Sequence, residues 1–240
     1  MVDSRVVMFP LPERKPLTRV LDAFLDEREK TLSRRTAAKY GRLVSLWQRY
    51  LDHHGYCHLL PVEKVLWKRL RKAGTEITET FGAQLLVRSS VPFLGEYFLR
   101  KVGSDLELVE YAGTIVRKLA RWLAQEGFVS SRAASLLWDV GNAARRQLVP
   151  AFLAQASINI QYDVWYEIPV YRARGELYEI LPGILRFRVK NARVEVALPE
   201  CVTEYCRPGW VFTLRLLPKE HTFGVVGCDN VNIFGWANTP

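Results

Sequence analysis

Cysteine is scarce in this chain, at four in 240 residues, too few for the disulfide framework of a secreted scaffold. No run approaches the roughly 20 apolar residues that a membrane-spanning helix requires. The segment Met1 to Leu17 lacks the basic start, apolar centre and small-residue cleavage site of a secretory leader. Glu13, Arg14 and Lys15 interrupt it, and Pro10, Pro12 and Pro16 oppose a helix there. It reads as an extended arm on a cytoplasmic protein with no membrane partner. Enzyme signatures are missing too: there is no phosphate-binding glycine loop, no H-E-x-x-H and no G-x-S-x-G. Glu200 and Glu204 stand four apart, but one carboxylate pair is a weak basis for acid–base catalysis. Internal repeats and low-complexity tracts are absent. The expectation is a non-catalytic protein without a cofactor.

What remains has an ordinary globular composition, 49% hydrophobic and 25% charged, enough to build a core without metal or disulfides. The charge is unevenly placed. Residues 1–157 carry 25 Lys+Arg against 16 Asp+Glu, whereas residues 158–240 carry nine of each. The whole excess of +9 therefore sits in the first part. A basic domain favours polyanions such as nucleic acid, although the same charge also solvates an ordinary helical surface.

Apolar residues at helical spacing predict a first helix over 17–32, through Leu17, Val20, Leu21, Phe24 and Leu25. Ser33 is placed to cap a second helix reaching His54, with Gly55 at its C′ position. Its apolar side holds Ala37, Tyr40, Val44, Trp47 and Leu51. Arg35, Lys39, Arg42 and Arg49 share a stripe on the opposite side, together with Leu46. Pro61 opens a third, strongly basic helix that closes at Gly74. Residues 77–102 read as two short helices broken near Ser90 and Pro92. Ser104 and Glu107 form a capping-box pattern for a helix that ends before Gly127. A last helix runs from about Ser130 to Leu148, kinked or ended by Pro150, with a short tail to Ala156.

From residue 158 onward, aromatic and β-branched residues alternate with polar ones, and Gly and Pro mark turns. Strands are predicted near 160–168, 176–181, 184–190, 193–198, 210–217 and 222–227, with turns at Asn191-Ala192 and Pro208-Gly209. Short strands at this density suggest a small closed barrel of the OB or SH3-like kind, because closure removes exposed edges. The expected fold class is α+β: a helical domain over residues 1–157, then a small antiparallel β-barrel over residues 158–240.

Residues 17–51 lead from a short helix through Ser33-x-x-Thr36 into a helix with Tyr40 four residues after the Thr and with Trp47 and Tyr50 at its far end. Residues 108–129 end in Trp122, Leu123, Glu126, Gly127 and Phe128. Together these segments resemble the SAM-like, core-binding domain of tyrosine recombinases and phage integrases. The resemblance implies a helical domain that grips DNA. It does not reach the family's catalytic residues: no His-x-x-Arg pair with a downstream Tyr follows Phe128, and His221 is followed by Thr-Phe-Gly. Residues 75–103 are longer and more apolar than the family's middle helices, and the helix after Gly127 stands where the family has a link to its catalytic domain. The implied role is an accessory or regulatory DNA-binding factor in DNA recombination.

The residues that fit this role begin at Ser33, Arg34, Arg35 and Thr36, where a helix N-terminus presents free N–H groups to a phosphate. Lys39 and Arg42 extend the positive line, and Arg117, Lys118 and Arg121 offer a second grip. Cys201, Cys206, His221 and Cys228 form an incomplete zinc pattern, so buried structural thiols are the expected reading and no metal is assigned. His53, His54 and His58, near a helix end with Cys57, suit the helix dipole. Arg186, Arg188 and Lys190 alternate with Leu185, Phe187 and Val189, giving a ribbon with one basic face. Tyr162, Trp165, Tyr166, Trp210 and Trp236 are candidates for base stacking or for the barrel core. DNA, held by its phosphates, is the expected partner. The alternative is an adaptor that docks another protein on the neutral barrel. The apolar repeat through Ala133, Leu136, Leu137, Val140, Ala144 and Leu148, with no Ser/Gly-rich stretch after it, predicts a firm junction, with Trp138 either near its surface or pointing into the helical core.

Overall fold

The computed structural model describes residues 15–71, 74–162, 170–190, 192–219 and 222–235. The expected arm up to residue 14, most of the expected 160–168 strand, Asn191 and His221 lie outside them. The architecture is α+β: helices first, then an antiparallel sheet.

Helix α1 (Leu17–Glu29) packs on α2 (Arg34–His54) through Phe24, whose ring meets Tyr40 and Trp122. Ser33 caps α2, its Oγ accepting the Thr36 N–H at 3.3 Å. Gly55 is not left-handed as a C′ glycine would be; its φ is −62°, and the chain tightens into a 3-10 turn over Gly55–His58. Small size is what the position requires, since a Cβ would meet Ile77 at 3.1 Å. Helices α3 (Pro61–Leu70) and α4 (Ile77–Thr80) follow. Then α5 (Gln84–Pro92), a π-helical segment Phe93–Phe98 and α6 (Leu99–Lys101) form one uninterrupted helical rod. The sequence pattern predicts a break here. Pro92 has no N–H for the preceding turn, and the next turns widen to π spacing instead of ending. Ser90 donates to the Val87 carbonyl at 2.8 Å without interrupting the rod.

Helix α7 (Leu106–Gln125) is capped by Asp105, not by Ser104: Asp105 Oδ1 accepts the Leu108 N–H at 3.0 Å. Moving the cap by one residue releases Glu107 from a capping box. Gly127, at φ +71°, closes α7 while the Phe128 N–H bonds back to the Leu123 carbonyl at 2.9 Å. Helix α8 (Ser131–Tyr162) does not end at Leu148 but runs 32 residues, straight through Pro150. The change of composition at residue 157 falls inside it. Against α7 it crosses at bare backbone: a Cβ on Gly113 would lie 2.3 Å from the Arg145 amide nitrogen.

The sheet comprises β1 (Tyr171–Leu181), β2 (Ile184–Val189), β3 (Ala192–Ala197), β4 (Val211–Lys219) and β5 (Thr222–Asn232), with α9 (Glu200–Thr203) between β3 and β4. Its order is β3-β2-β1-β4-β5, antiparallel throughout. Leu177, Leu185, Phe187, Phe212 and Leu214 fill its inner side. Bulges at Leu177/Glu179 of β1 and at Asp229 and Val226 of β5 curl it, and β3 approaches β5. Among the described residues no ladder joins these edges, so the sheet stays open where a closed barrel is predicted. The end of α8 occupies both edges. Asn159 Oδ1 accepts the Cys228 N–H at 2.8 Å and its Nδ2 donates to the Cys228 carbonyl at 2.9 Å, as a neighbouring strand would. Gln155 donates to the Asp229 carbonyl, and the Tyr162 hydroxyl donates to the Ala197 carbonyl of β3. The junction is thus continuous helix packed on β5, and Trp138 takes no part in it.

Candidate nucleic-acid interface

Arg35, Lys39 and Arg42 lie along one side of α2 as their spacing predicts, but that side faces the start of α7. Glu107, freed from capping, pairs with Arg35 and, at 3.2 Å, with Lys39 Nζ. Arg42 pairs with the cap residue Asp105. Lys39 also sits 3.8 Å over the Tyr111 ring and leaves only 12% of its side chain exposed. Lys39 and Arg35 hold the Glu107 carboxyl below the usual carboxylate range. Three of the four cations of the predicted line are therefore engaged in a helix–helix contact. Thr36 is engaged with Ser33, hydroxyl to hydroxyl at 3.0 Å. Arg34 is exposed and makes no ion pair among the described residues.

The predicted second grip is engaged largely with α8. Arg117 and Arg121 stack over Trp138 of α8, at 4.2 and 5.1 Å from the ring centroid. Arg117 Nε is buried without a hydrogen-bond partner, so this residue serves the α7–α8 contact. Lys118 alone of the three faces solvent without such an engagement.

Farther along α2 the surface opens into a cleft of about 440 Å³ between α2 and α6. Arg42, Arg49 and Lys101 converge on it over a floor of Ala38, Gly41 and Ser45. Lys101 has no local signal linking it to α2; the fold brings it there across more than fifty residues. Two further clefts lie on the outer face of the sheet. One, of about 520 Å³, is lined by Glu96 and Arg100 from the π-helical rod and by Arg172, Arg174, Thr213, Asp229 and Asn230. The other, of about 400 Å³, shares Arg172 and Arg174 and adds Glu176, Arg188 and Lys190. Arg174 Nη2 reaches Glu96 at 2.6 Å, and Arg172 Nε reaches Asp229 at 2.7 Å.

The remaining candidates take structural places. Cys206 and Cys228 are buried, and burial pushes both thiols up to about 12. Cys201 is exposed, and no group of three or more His, Cys, Asp or Glu among the described residues is placed to hold a metal. Trp210 is buried and donates to Gln147 at 2.8 Å; Trp165, Tyr166 and Trp236 lie outside the described residues. No helix among the described residues is long and apolar enough to cross a membrane.

His58 does not act as a charged partner of the helix dipole. Burial, reinforced by Arg88, pushes it down to about 4, and its Nε2 lies 2.7 Å from the Tyr50 hydroxyl. Burial also raises Tyr50, so the bond joins a protonated phenol and a neutral imidazole. The unfolded chain takes up this proton near pH 6.5, the folded one only near 4. Stability should therefore be full above about pH 6.5 and fall as pH drops toward 4, by about 1–2 kcal/mol because the ring is partly open to solvent. Thermal melts at pH 7 and 5 should show the loss, and His58→Gln should flatten it.

Comparison of the chain with protein-family models, with curated proteins and with solved structures finds no match.

Proposed function

We propose that the protein is a non-catalytic DNA-binding protein that holds duplex DNA by its phosphates along the middle of α2. The cleft between α2 and α6 carries this reading. Three cations converge there, and no carboxylate lines it among the described residues. Nothing lies within 4 Å of a Cβ built on Gly41, which leaves room for a phosphate to approach the helix backbone. The resemblance of residues 17–51 and 108–129 to the recombinase core-binding domain supports the same partner. An accessory role in recombination follows from that resemblance. Arg34 extends the contact toward the α2 N-terminus, while Glu107 and Asp105 weaken the share of Arg35, Lys39 and Arg42.

A titration of duplex DNA at several salt concentrations tests this. Arg49→Ala and Lys101→Ala should each make the slope of log affinity against log salt shallower by about 0.9 per lost phosphate contact. Arg35→Ala should change it less, because Glu107 already neutralises that charge. Absence of binding at low salt, or slopes unaltered in both groove variants, would overturn the proposal. Failure to bind duplex would favour the second reading, a protein partner docked at the sheet, for which the exposed Val170 and Tyr205 speak.

A further inference from the structure

We infer that the outer face of the sheet is a second nucleic-acid contact, one that takes a single strand continuing from the α2 cleft. The inference rests on the reading above only in sharing a polyanionic partner; its residues are separate. Neighbouring residues at the end of α6 open onto different recesses. Lys101 lines the α2 cleft, and Arg100 lines the first sheet cleft. Arg172 and Arg174 then join that cleft to the one holding Arg188 and Lys190. The two sheet clefts together present five cations against Glu96, Glu176 and Asp229.

The register of the sheet argues that this charge is for a ligand. Arg172 stands opposite Arg215, where Asp229 answers both, whereas Arg188 stands opposite Arg193 with no carboxylate shared between them among the described residues. Like charges directly across strands destabilise a sheet. Arg186 shows the alternative on the same face, held between Glu179 at 3.0 Å and Glu195 at 2.7 Å. Arg100, Lys190 and Arg193 make no ion pair among the described residues. A phosphate on this face would relieve the repulsion between Arg188 and Arg193.

Other groups on the face select a single strand over a duplex. The Arg188 guanidinium lies 5.4 Å over the Tyr178 ring. Such aromatic and guanidinium planes stack bases, which a duplex keeps inside. Asn230 is 7% exposed and lines the first sheet cleft. Its Nδ2 donates to the Gly95 carbonyl at 3.3 Å, whereas its Oδ1 is buried with no donor. The curl of the sheet also fits a flexible chain better than a straight rod.

The full chain should be titrated with fluorescent oligothymidylate and, separately, with a blunt duplex of equal length. Each is compared for wild type, a sheet variant (Arg188→Gln with Lys190→Gln) and a groove variant (Arg49→Gln with Lys101→Gln), with thermal melts confirming the fold. The sheet variant should lose about tenfold in oligothymidylate affinity at low salt and about 1.4 from its salt slope, near 0.7 per lost contact. Its duplex affinity should stay within about twofold. Oligothymidylate binding that is absent, or unaltered in the sheet variant, overturns the inference alone if duplex binds through the groove. Oligothymidylate binding lost in the sheet variant, without any duplex binding, upholds the inference and removes the duplex reading. Binding of neither probe at low salt overturns both.

Discussion

Gly113→Ala should destabilise the protein by about 3 kcal/mol, the upper end of ordinary overpacking losses. In an exposed helix the same change would be favourable, by about 1 kcal/mol. Here the added Cβ would lie 2.3 Å from the Arg145 amide nitrogen and 2.6 Å from the Gly141 carbonyl oxygen. Both atoms are backbone, so no side chain can turn aside. Helices α7 and α8 would have to separate along their whole crossing, loosening Leu119, Leu137 and Ala144, all buried there. For a chain of this size the loss corresponds to a fall in Tm of roughly 6–12 °C. Gly41→Ala is the internal control. Nothing lies within 4 Å of its Cβ position, so it should be neutral or stabilising by up to about 1 kcal/mol. Equal melting temperatures for the two variants would show that the crossing is looser than its backbone contacts indicate.

Asn159→Leu should cost about 2–4 kcal/mol through a different mechanism. One side-chain amide serves both the N–H and the carbonyl of Cys228 on β5, and an orphaned buried polar group costs about 1–3 kcal/mol. Leucine has the same branched skeleton and leaves no cavity, so the loss measures chiefly the missing hydrogen bonds. Asn159→Asp keeps the acceptor for the Cys228 N–H and sets a carboxylate against the carbonyl, so it should fall between wild type and leucine. Chemical denaturation gives the energies, and amide exchange at Cys228 locates the effect. Unchanged exchange at that amide in Asn159→Leu would mean that α8 does not protect the sheet edge. Because α8 is also the partner of α7, both predictions bear on one element. The first loosens it from the helices, the second from the sheet.

These two positions mark where local reasoning stops. Ser33 with Thr36, Pro61 at a helix start and Gly127 at a helix end are legible because a cap depends on residues within a few positions of it. The alternation of Leu185, Phe187 and Val189 with Arg186 and Arg188 is legible because a strand faces two ways. Asp105 displaces Ser104 as the α7 cap within the same short motif, where two good capping residues compete. The helical run from Gln84 to Lys101 reads as broken because proline removes a local hydrogen bond. Burial of Phe93, Leu94, Tyr97 and Phe98 outweighs that loss by supplying tertiary contacts that no local rule includes.

That basic helices precede strands, which residues line the core of most elements, and that cations form a stripe on α2 can all be read along the chain. Each of these depends on neighbours in the chain and on the difference between apolar and polar side chains. Only the tertiary structure decided what the stripe meets. Glu107 lies seventy-two residues from Arg35, and its pairing follows from how α7 packs on α2. The same holds for Lys101 in the α2 cleft and for Arg100 beside the sheet. It holds as well for the open sheet: its edges are covered because α8 continues past Pro150 and brings Asn159 and Tyr162 to them. Periodicity reports which face of an element is buried, whereas charge pairing and edge coverage depend on which other element arrives there.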